Sequence, residues 1–315
     1  GLYDTDFGVG WAFVANLASS VVTLAVLAAT TEKVVPVIDR RLLVRIFAYS
    51  LPLLIGGVAG TANEFIDRQM IKYLVPTGAM AQLGVYGAIT KIAVVMTLFT
   101  QMYRLAAEPF FLSNFRKEEF VESNAAALKY YVMVAMAIFL FIALFRDLFA
   151  LILGRDFREG IFILPVVLGA NVLSGVWFNL SFWYKREEKT RFAIYVTFTG
   201  LLFTVVFNVA LVPRWGYYGA AWARLIAEGA MVALSYTLNR RYFPTPYQTG
   251  RIATYVAAGL ALFAASELFA RHAGAPTAVQ YVVNVLLIGI YCLYAVWREH
   301  IDVRALAAAV VHRRR

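Results

Sequence analysis

Residues Thr61 to Lys91 read TANEFIDRQMIKYLVPTGAMAQLGVYGAITK, and the reading of this stretch decides the fold. It lies in strongly apolar surroundings, yet it carries Glu64, Asp67, Arg68, Lys72 and Lys91. A charged side chain in hydrocarbon costs at least about 2.5 kcal/mol, so each one needs a physical reason. Wound as a helix, the sequence puts Gly57, Gly60, Thr61, Glu64 and Arg68 on one face, with Asp67 beside them. The opposite face is Leu, Ile, Val and Phe. Such a helix turns its small and charged stripe toward a partner helix or a wet cavity and not toward lipid. The stripe and Lys91 are therefore expected to line the central cavity of a membrane transporter.

Composition agrees with a membrane setting. The 315-residue chain is 61% hydrophobic and 15% charged, with a mean hydropathy of +0.69. Soluble domains carry about 25% charged residues. Apolar runs long enough to cross a bilayer recur along the chain. Nine spans are predicted, near 7–29, 43–74, 80–113, 125–153, 161–184, 192–212, 217–238, 252–270 and 278–297. The net charge of +10 does not point to nucleic acid, because the basic residues sit in short clusters between the apolar runs. The single cysteine, Cys292, cannot form an intrachain disulfide.

Loop charges predict the orientation. Of 29 Lys and Arg residues, 19 fall in alternate loops and the tail on one side, and 7 on the other. Lys91, Arg104 and Arg224 lie within spans. The positive-inside rule then puts the KREEKTR loop (185–191) and the C-terminal tail in the cytoplasm. Gly1 falls on the outer side and no signal peptide is visible, so a fragment lacking earlier helices is expected. No loop exceeds about fifteen residues, which leaves no room for a soluble catalytic domain. The three histidines, His272, His300 and His312, stand near span ends. There is no metal-ligand spacing, phosphate-binding loop or nucleophile elbow, and no cofactor is expected.

Several polar groups inside the spans are candidates for function. Lys91 stands roughly 16 Å into its span, near the midplane, where its chain cannot easily reach the interface. Gly84 and Gly87 share its face. It reads as an anion or coupling-ion site, or as a structural pair with Glu64 or Asp67. Glu64, Asp67 and Arg68 mark either the outer end of a straight helix or, if Gly56, Gly57 and Gly60 bend it, the cavity itself. Arg104 and Glu108 form an i,i+4 pair toward the cytoplasmic end. Arg224 and Glu228 form another in mid-span, a secondary candidate that reads first as helix packing. Asn171, Asn179 and Asn208 are expected to bond between helices. The run VWFNLSFWYK is expected to form an aromatic belt at the cytoplasmic interface.

Taken in order, a set of segments resembles the Wzx-type oligosaccharide flippases. They are YSLPLLIGGVAGTANEFIDRQMI, LGVYGAITKIA, TQMYRLAAEPFFLS, FNLSFWYKREEKT, VPRWGYYGAAWARLI and YFPTPYQTGRI. These polysaccharide-biosynthesis proteins belong to the superfamily that also holds the MATE exporters and the lipid II flippase. The resemblance implies an all-α, polytopic membrane bundle of about nine transmembrane helices. Residues 1–42 would hold the last helix of a truncated first lobe and a basic linker. Residues 43–239 would form the second, MATE-like six-helix lobe, and 240–315 two additional helices and a basic tail.

The implied activity is transfer of polyprenyl-pyrophosphate-linked oligosaccharide repeat units from the cytoplasmic to the outer leaflet of a bacterial inner membrane, for O-antigen, lipopolysaccharide or other surface polysaccharide. Arg68 and Lys91 would meet the pyrophosphate, with Arg104 as an entry contact. Glu64 and Asp67 would hold those cations in the empty cavity or bind a coupling proton. The partners would be the lipid-linked substrate, membrane lipids and the polysaccharide polymerase or assembly proteins. Other readings are a MATE-like drug exporter, which favours an acidic cavity, a repeat-unit polymerase or membrane glycosyltransferase, which favours a large outer loop, and a non-transporting scaffold.

Overall fold

The computed structural model describes residues 8, 10–30, 39–115, 119–272 and 276–300, and only the backbone of Glu64. Lys33, Arg116, Lys117 and the arginines beyond residue 300 lie outside the described residues, as does the Glu64 side chain. The described chain is helical, with no strand. The helices are α1 Gly10–Thr30, α2 Arg40–Leu74, α3 Ala79–Ile92, α4 Val94–Asn114, α5 Phe120–Leu144 and α6 Arg146–Ala150. A 3-10 segment, Arg155–Ile163, precedes α7 Leu164–Leu180 and the short α8 Phe182–Arg186. The chain continues through α9 Arg191–Trp215, α10 Tyr217–Tyr242, α11 Thr249–His272 and α12 Thr277–Glu299.

Two compact units divide the chain, Gly1–Phe47 and Ala48–Arg315. In the first, three hydroxyls of α1 bond to carbonyls one turn earlier in the same helix. Ser20 donates to the carbonyl of Asn16, Thr23 to Ser19 and Thr30 to Val26, at 2.8–2.9 Å. Asp39 caps α2 by accepting from the Arg41 amide at 2.8 Å.

In the second unit, α5 and α7 form the centre, and α10 packs on α7 and α9. The helices α11 and α12 attach to α5, at three levels. Lys129 of α5 pairs with Glu299 at the end of α12, both side chains buried. Tyr291 donates to the carbonyl of Met133 at 3.0 Å. Asn284 donates to the carbonyl of Leu144 at 2.7 Å and accepts from Ser266 of α11. Lys129 thus lies inside α5 as half of a buried pair.

Among the described residues, seven helices are long and apolar enough to cross a membrane, or eight if α3 and α4 count as one span. The protein is an all-α, multi-pass membrane bundle. The nine spans expected differ from this count at α10, whose polar residues, including Arg224, Glu228, Arg240 and Arg241, keep it from passing as a span on composition alone. The single span expected over 80–113 is two helices bent by 50° at Ala93. The break has a partner: Asn171 of α7 donates to the Ala93 carbonyl at 3.4 Å, which also takes the Met96 and Thr97 amides, and to the Thr97 hydroxyl at 3.2 Å.

The aromatic run after Trp177 is not an interfacial belt. The helix breaks at Ser181, and Phe178, Phe182, Trp183 and Tyr184 all turn inward and are buried. Phe182 packs on Phe111 with ring centres 4.7 Å apart, and Trp183 on Phe192 at 5.1 Å.

Candidate functional site

The helix α2 is amphipathic in an unusual way, because its two non-lipid faces differ. Gly56, Ala59, Asn63, Asp67 and Ile71 are buried, and Val75 just beyond its end, at spacings of three and four. This stripe lies along α9. Gly56 has no room to spare beside Ala193 and Thr197, where an added Cβ would touch both at 3.4 Å. Asn63 accepts from the Thr204 hydroxyl. Asp67 accepts from Asn208 at 2.9 Å and from Tyr86 of α3 at 3.2 Å. The stripe read from sequence, through Gly57, Gly60, Thr61 and Arg68, is one position away, about 100° around the helix. It faces two openings instead.

The first opening is a cavity of about 300 Å³ walled by α2, α4, α7, α8, α9 and α10. From α2 come Gly57, Gly60, Thr61 and Asn63; from α4 come Arg104 and Glu108. Ser174, Trp177, Ser181, Tyr184 and Lys185 contribute from the broken α7–α8 segment, Thr197 from α9 and Glu228 from α10. The break at Ser181 positions Lys185, whose ammonium meets Glu108 at 2.6 Å. Glu108 therefore pairs with Lys185, and not with Arg104 as the i,i+4 spacing suggests. The Arg104 guanidinium lies 4.5 Å over the ring of Phe178, an arrangement that stabilises a cation without neutralising it. Among the described residues Arg104 has no carboxylate partner. The indole N–H of Trp177 is buried and has no hydrogen-bond acceptor among the described residues.

The second opening is a groove of about 440 Å³ between α2 and α3, lined by Phe65, Arg68, Gln69, Lys72, Leu83, Gly87 and Lys91. The turn Pro76–Thr77–Gly78 sets its register. Gly78 sits at φ +69°, a left-handed conformation that suits glycine, and folds α3 back along α2. Lys91 is thereby brought to the same groove as Arg68, with Lys72 as a third cation. All three side chains are exposed, and no carboxylate lines the groove among the described side chains, which do not include Glu64. An apolar strip of α2 through Leu53, Gly57, Thr61 and Phe65 runs from the first opening to the second, sharing residues with each.

The expected site residues therefore separate into three settings. Arg68 and Lys91 share the groove, whereas Arg104 and Glu228 line the cavity. Asp67 is 1% exposed and belongs to the α2–α3–α9 interface, not to either opening. It serves as an acceptor for two neighbouring helices. Arg224 reaches the side-chain oxygen of Asn171 at 3.4 Å, and so joins the network that holds the Ala93 bend. Asn179 donates to the Tyr103 hydroxyl at 2.6 Å, which ties α7 to α4 beside the cavity.

Lys72, Trp177 and Lys185 line the two openings but are not among the site residues expected from the sequence. The i,i+4 spacing of Lys72 from Arg68 is a signal for the first. For the other two the signal would have been the break at Ser181, which a continuous apolar run hides.

No protein-family model matches the chain, and no curated protein matches it.

Proposed function

We propose that this membrane protein is a transporter that moves a polyprenyl-pyrophosphate-linked oligosaccharide repeat unit from the cytoplasmic to the outer leaflet, for assembly of a surface polysaccharide. The observation that carries the reading is the groove in which Arg68, Lys72 and Lys91 gather, three cations on one lining. Three cations gathered in an apolar bundle repel one another, and a dianionic or trianionic head group relieves that repulsion. The neighbouring cavity suits the sugar. It offers hydroxyls, an unused indole N–H, a carboxylate and broad aromatic faces, which is the mixed polar and apolar lining that ring-shaped polyols need. The polyprenyl chain would remain in the bilayer beside the open face of α2, where Leu54, Val58 and Phe65 are more than half exposed. No covalent step is required. The C-terminus is assigned to the cytoplasm by its loop charges, and the membrane to a bacterial inner membrane.

A MATE-like exporter of cationic compounds is the second reading, favoured by Glu108 and Glu228 in the cavity. Lys185 already occupies Glu108, which makes the cavity less suited to a cation.

The test is made in a strain whose surface polymer depends on the full-length protein. Arg68→Ala, Lys91→Ala and Arg104→Ala are compared at equal membrane abundance. The expected result is loss of surface polymer with lipid-linked repeat units accumulating on the cytoplasmic leaflet. Normal export from all three variants overturns the assignment. Loss of polymer with complete repeat units already on the outer leaflet indicates a polymerase instead.

A further inference from the structure

A third hollow, larger than the cavity and the groove, lies on another side of the bundle. It has a volume of about 610 Å³ and is bounded by α5, α7, α10 and α11. Its walls are almost wholly hydrocarbon, including Leu173, Leu225, Val256 and Leu260, and it is open beside Leu260, which is 50% exposed. Charge is confined to one end. There Arg146 pairs with Glu267 at 2.9 Å, and its guanidinium lies 5.3 Å from the centre of the Phe162 ring. Arg271, one helical turn beyond Glu267, lines the same end. It is exposed and has no carboxylate partner among the described residues. The rim residues Arg146, Glu267 and Arg271 leave one positive charge uncompensated.

The dimensions match one membrane leaflet. From Val256 to Arg271, α11 rises roughly 22 Å. The hydrocarbon of one leaflet is about 15 Å deep, with the head-group layer above it. A hollow that is apolar for the depth of a leaflet and cationic at its mouth complements a lipid with one negative charge. Neutral lipids fill the apolar part equally well but leave Arg271 unanswered. A free phosphate answers Arg271 and leaves the hollow empty.

We infer that this hollow binds one anionic glycerophospholipid, with an acyl chain between α5, α7, α10 and α11 and its phosphate at Arg271 and Arg146. The lipid fills the space between α11 and the α7–α10 pair, and so couples the C-terminal helices to the central bundle. Basic sites between membrane helices recognise lipid head groups by this same combination of charge and packing.

Native mass spectrometry of the full chain in detergent tests the assignment, with dioleoyl phosphatidylglycerol and dioleoyl phosphatidylcholine as probes. Wild type should retain one phosphatidylglycerol and prefer it over phosphatidylcholine by about fivefold to tenfold, the worth of one cation beside an anionic lipid. Arg271→Glu, at an exposed helix end where folding is not at stake, should abolish that preference and leave phosphatidylcholine binding unchanged. Leu260→Trp, which fills the open side, should weaken both lipids. An unchanged preference in Arg271→Glu overturns the head-group assignment. Undiminished retention of both lipids in Leu260→Trp overturns the acyl-chain assignment, and displacement of the lipid by millimolar inorganic phosphate alone overturns the choice of a lipid.

Discussion

Asp67 and Arg68 are adjacent in sequence and opposite in situation. Asp67 is buried, with Tyr86 and Asn208 each donating to one of its carboxyl oxygens. Arg68 is exposed in a groove with two further cations. One residue along a helix is a turn of about 100°, which here separates an interface from an opening. Charge within a membrane helix is thus evidence of a polar neighbour, but does not say whether that neighbour is protein or ligand. The comparison divides the charged stretch into a part that holds the bundle together and a part left available.

The largest effect expected follows from removing the holding part. Asp67→Ala strands the buried Tyr86 hydroxyl and takes one of two acceptors from the Asn208 amide, which keeps the Thr204 carbonyl. Hydrogen bonds to a carboxylate contribute about 1.5–3 kcal/mol in water-soluble proteins and less between membrane helices, so a loss of about 1–3 kcal/mol is expected for the two. Thermal unfolding in detergent measures it. Asp67→Asn retains an acceptor for one donor and should recover about half. If Asp67→Ala melts where Arg68→Ala melts, the division between the two residues fails.

A second experiment acts on the interface from behind. A Cβ at Gly219 of α10 would lie 2.6 Å from the backbone carbonyl of Leu211 on α9. Backbone cannot swing aside as a flexible side chain does, so Gly219→Ala must push α9 and α10 apart, at about 1–3 kcal/mol. Asn208 and Thr204 ride on α9 and are the partners of Asp67 and Asn63. Stability should fall together with protection of the Tyr86 region in hydrogen exchange, while the groove between α2 and α3 should keep its exchange rates. Loss of protection in both places would mean that the two faces of α2 are one cooperative unit.

These contrasts also show what a sequence can carry. The long apolar runs made the all-α membrane bundle legible, because backbone groups in lipid leave little else to form. The interhelical roles of Asn171, Asn179 and Asn208 were legible for the same reason. The position of the buried face on α2 was not. Gly57, Gly60 and Thr61 are as small and weakly polar as Gly56, Ala59 and Asn63, so periodicity admits either stripe, and only the partner α9 selects one. The breaks at Ala93 and Ser181 were hidden because neither contains glycine or proline. Neither break has a local signal, and the first, a bend, is stabilised by Asn171 from a distant part of the chain. The pairing of Glu108 with Lys185 depends on the second break and was lost with it.

A third prediction tests the network at the Ala93 bend. Asn171→Ala removes the donor to the Ala93 carbonyl and to Thr97, and the acceptor for Arg224. The cost should be about 1 kcal/mol, in the range found for single interhelical hydrogen bonds. This value lies between the Asp67 and Arg68 variants, as expected for a bend that other contacts of α4 and α7 also hold. A cost equal to that of Asp67→Ala would make the bend, and not the α2–α9 stripe, the principal polar support of the fold.

The smallest change in stability is expected where the change in function is largest. Arg68→Ala and Lys91→Ala remove exposed side chains with no carboxylate partner among the described residues, and each should alter stability by less than about 0.5 kcal/mol. Their effects on export should not be independent. If both cations contact one pyrophosphate, the first substitution removes most of the favourable geometry, and the second then costs less than it does alone. The coupling between residues that share a partner is about 0.5–3 kcal/mol, or roughly twofold to a hundredfold in rate. A double-mutant cycle on the rate of repeat-unit export, with Lys72→Ala as a third corner, measures it directly. Additive losses from Arg68 and Lys91 would place them on separate parts of the substrate or on separate steps. Coupling in export with no coupling in thermal stability would show that the groove acts on the cargo and not on the fold, the distinction that separates Arg68 from Asp67.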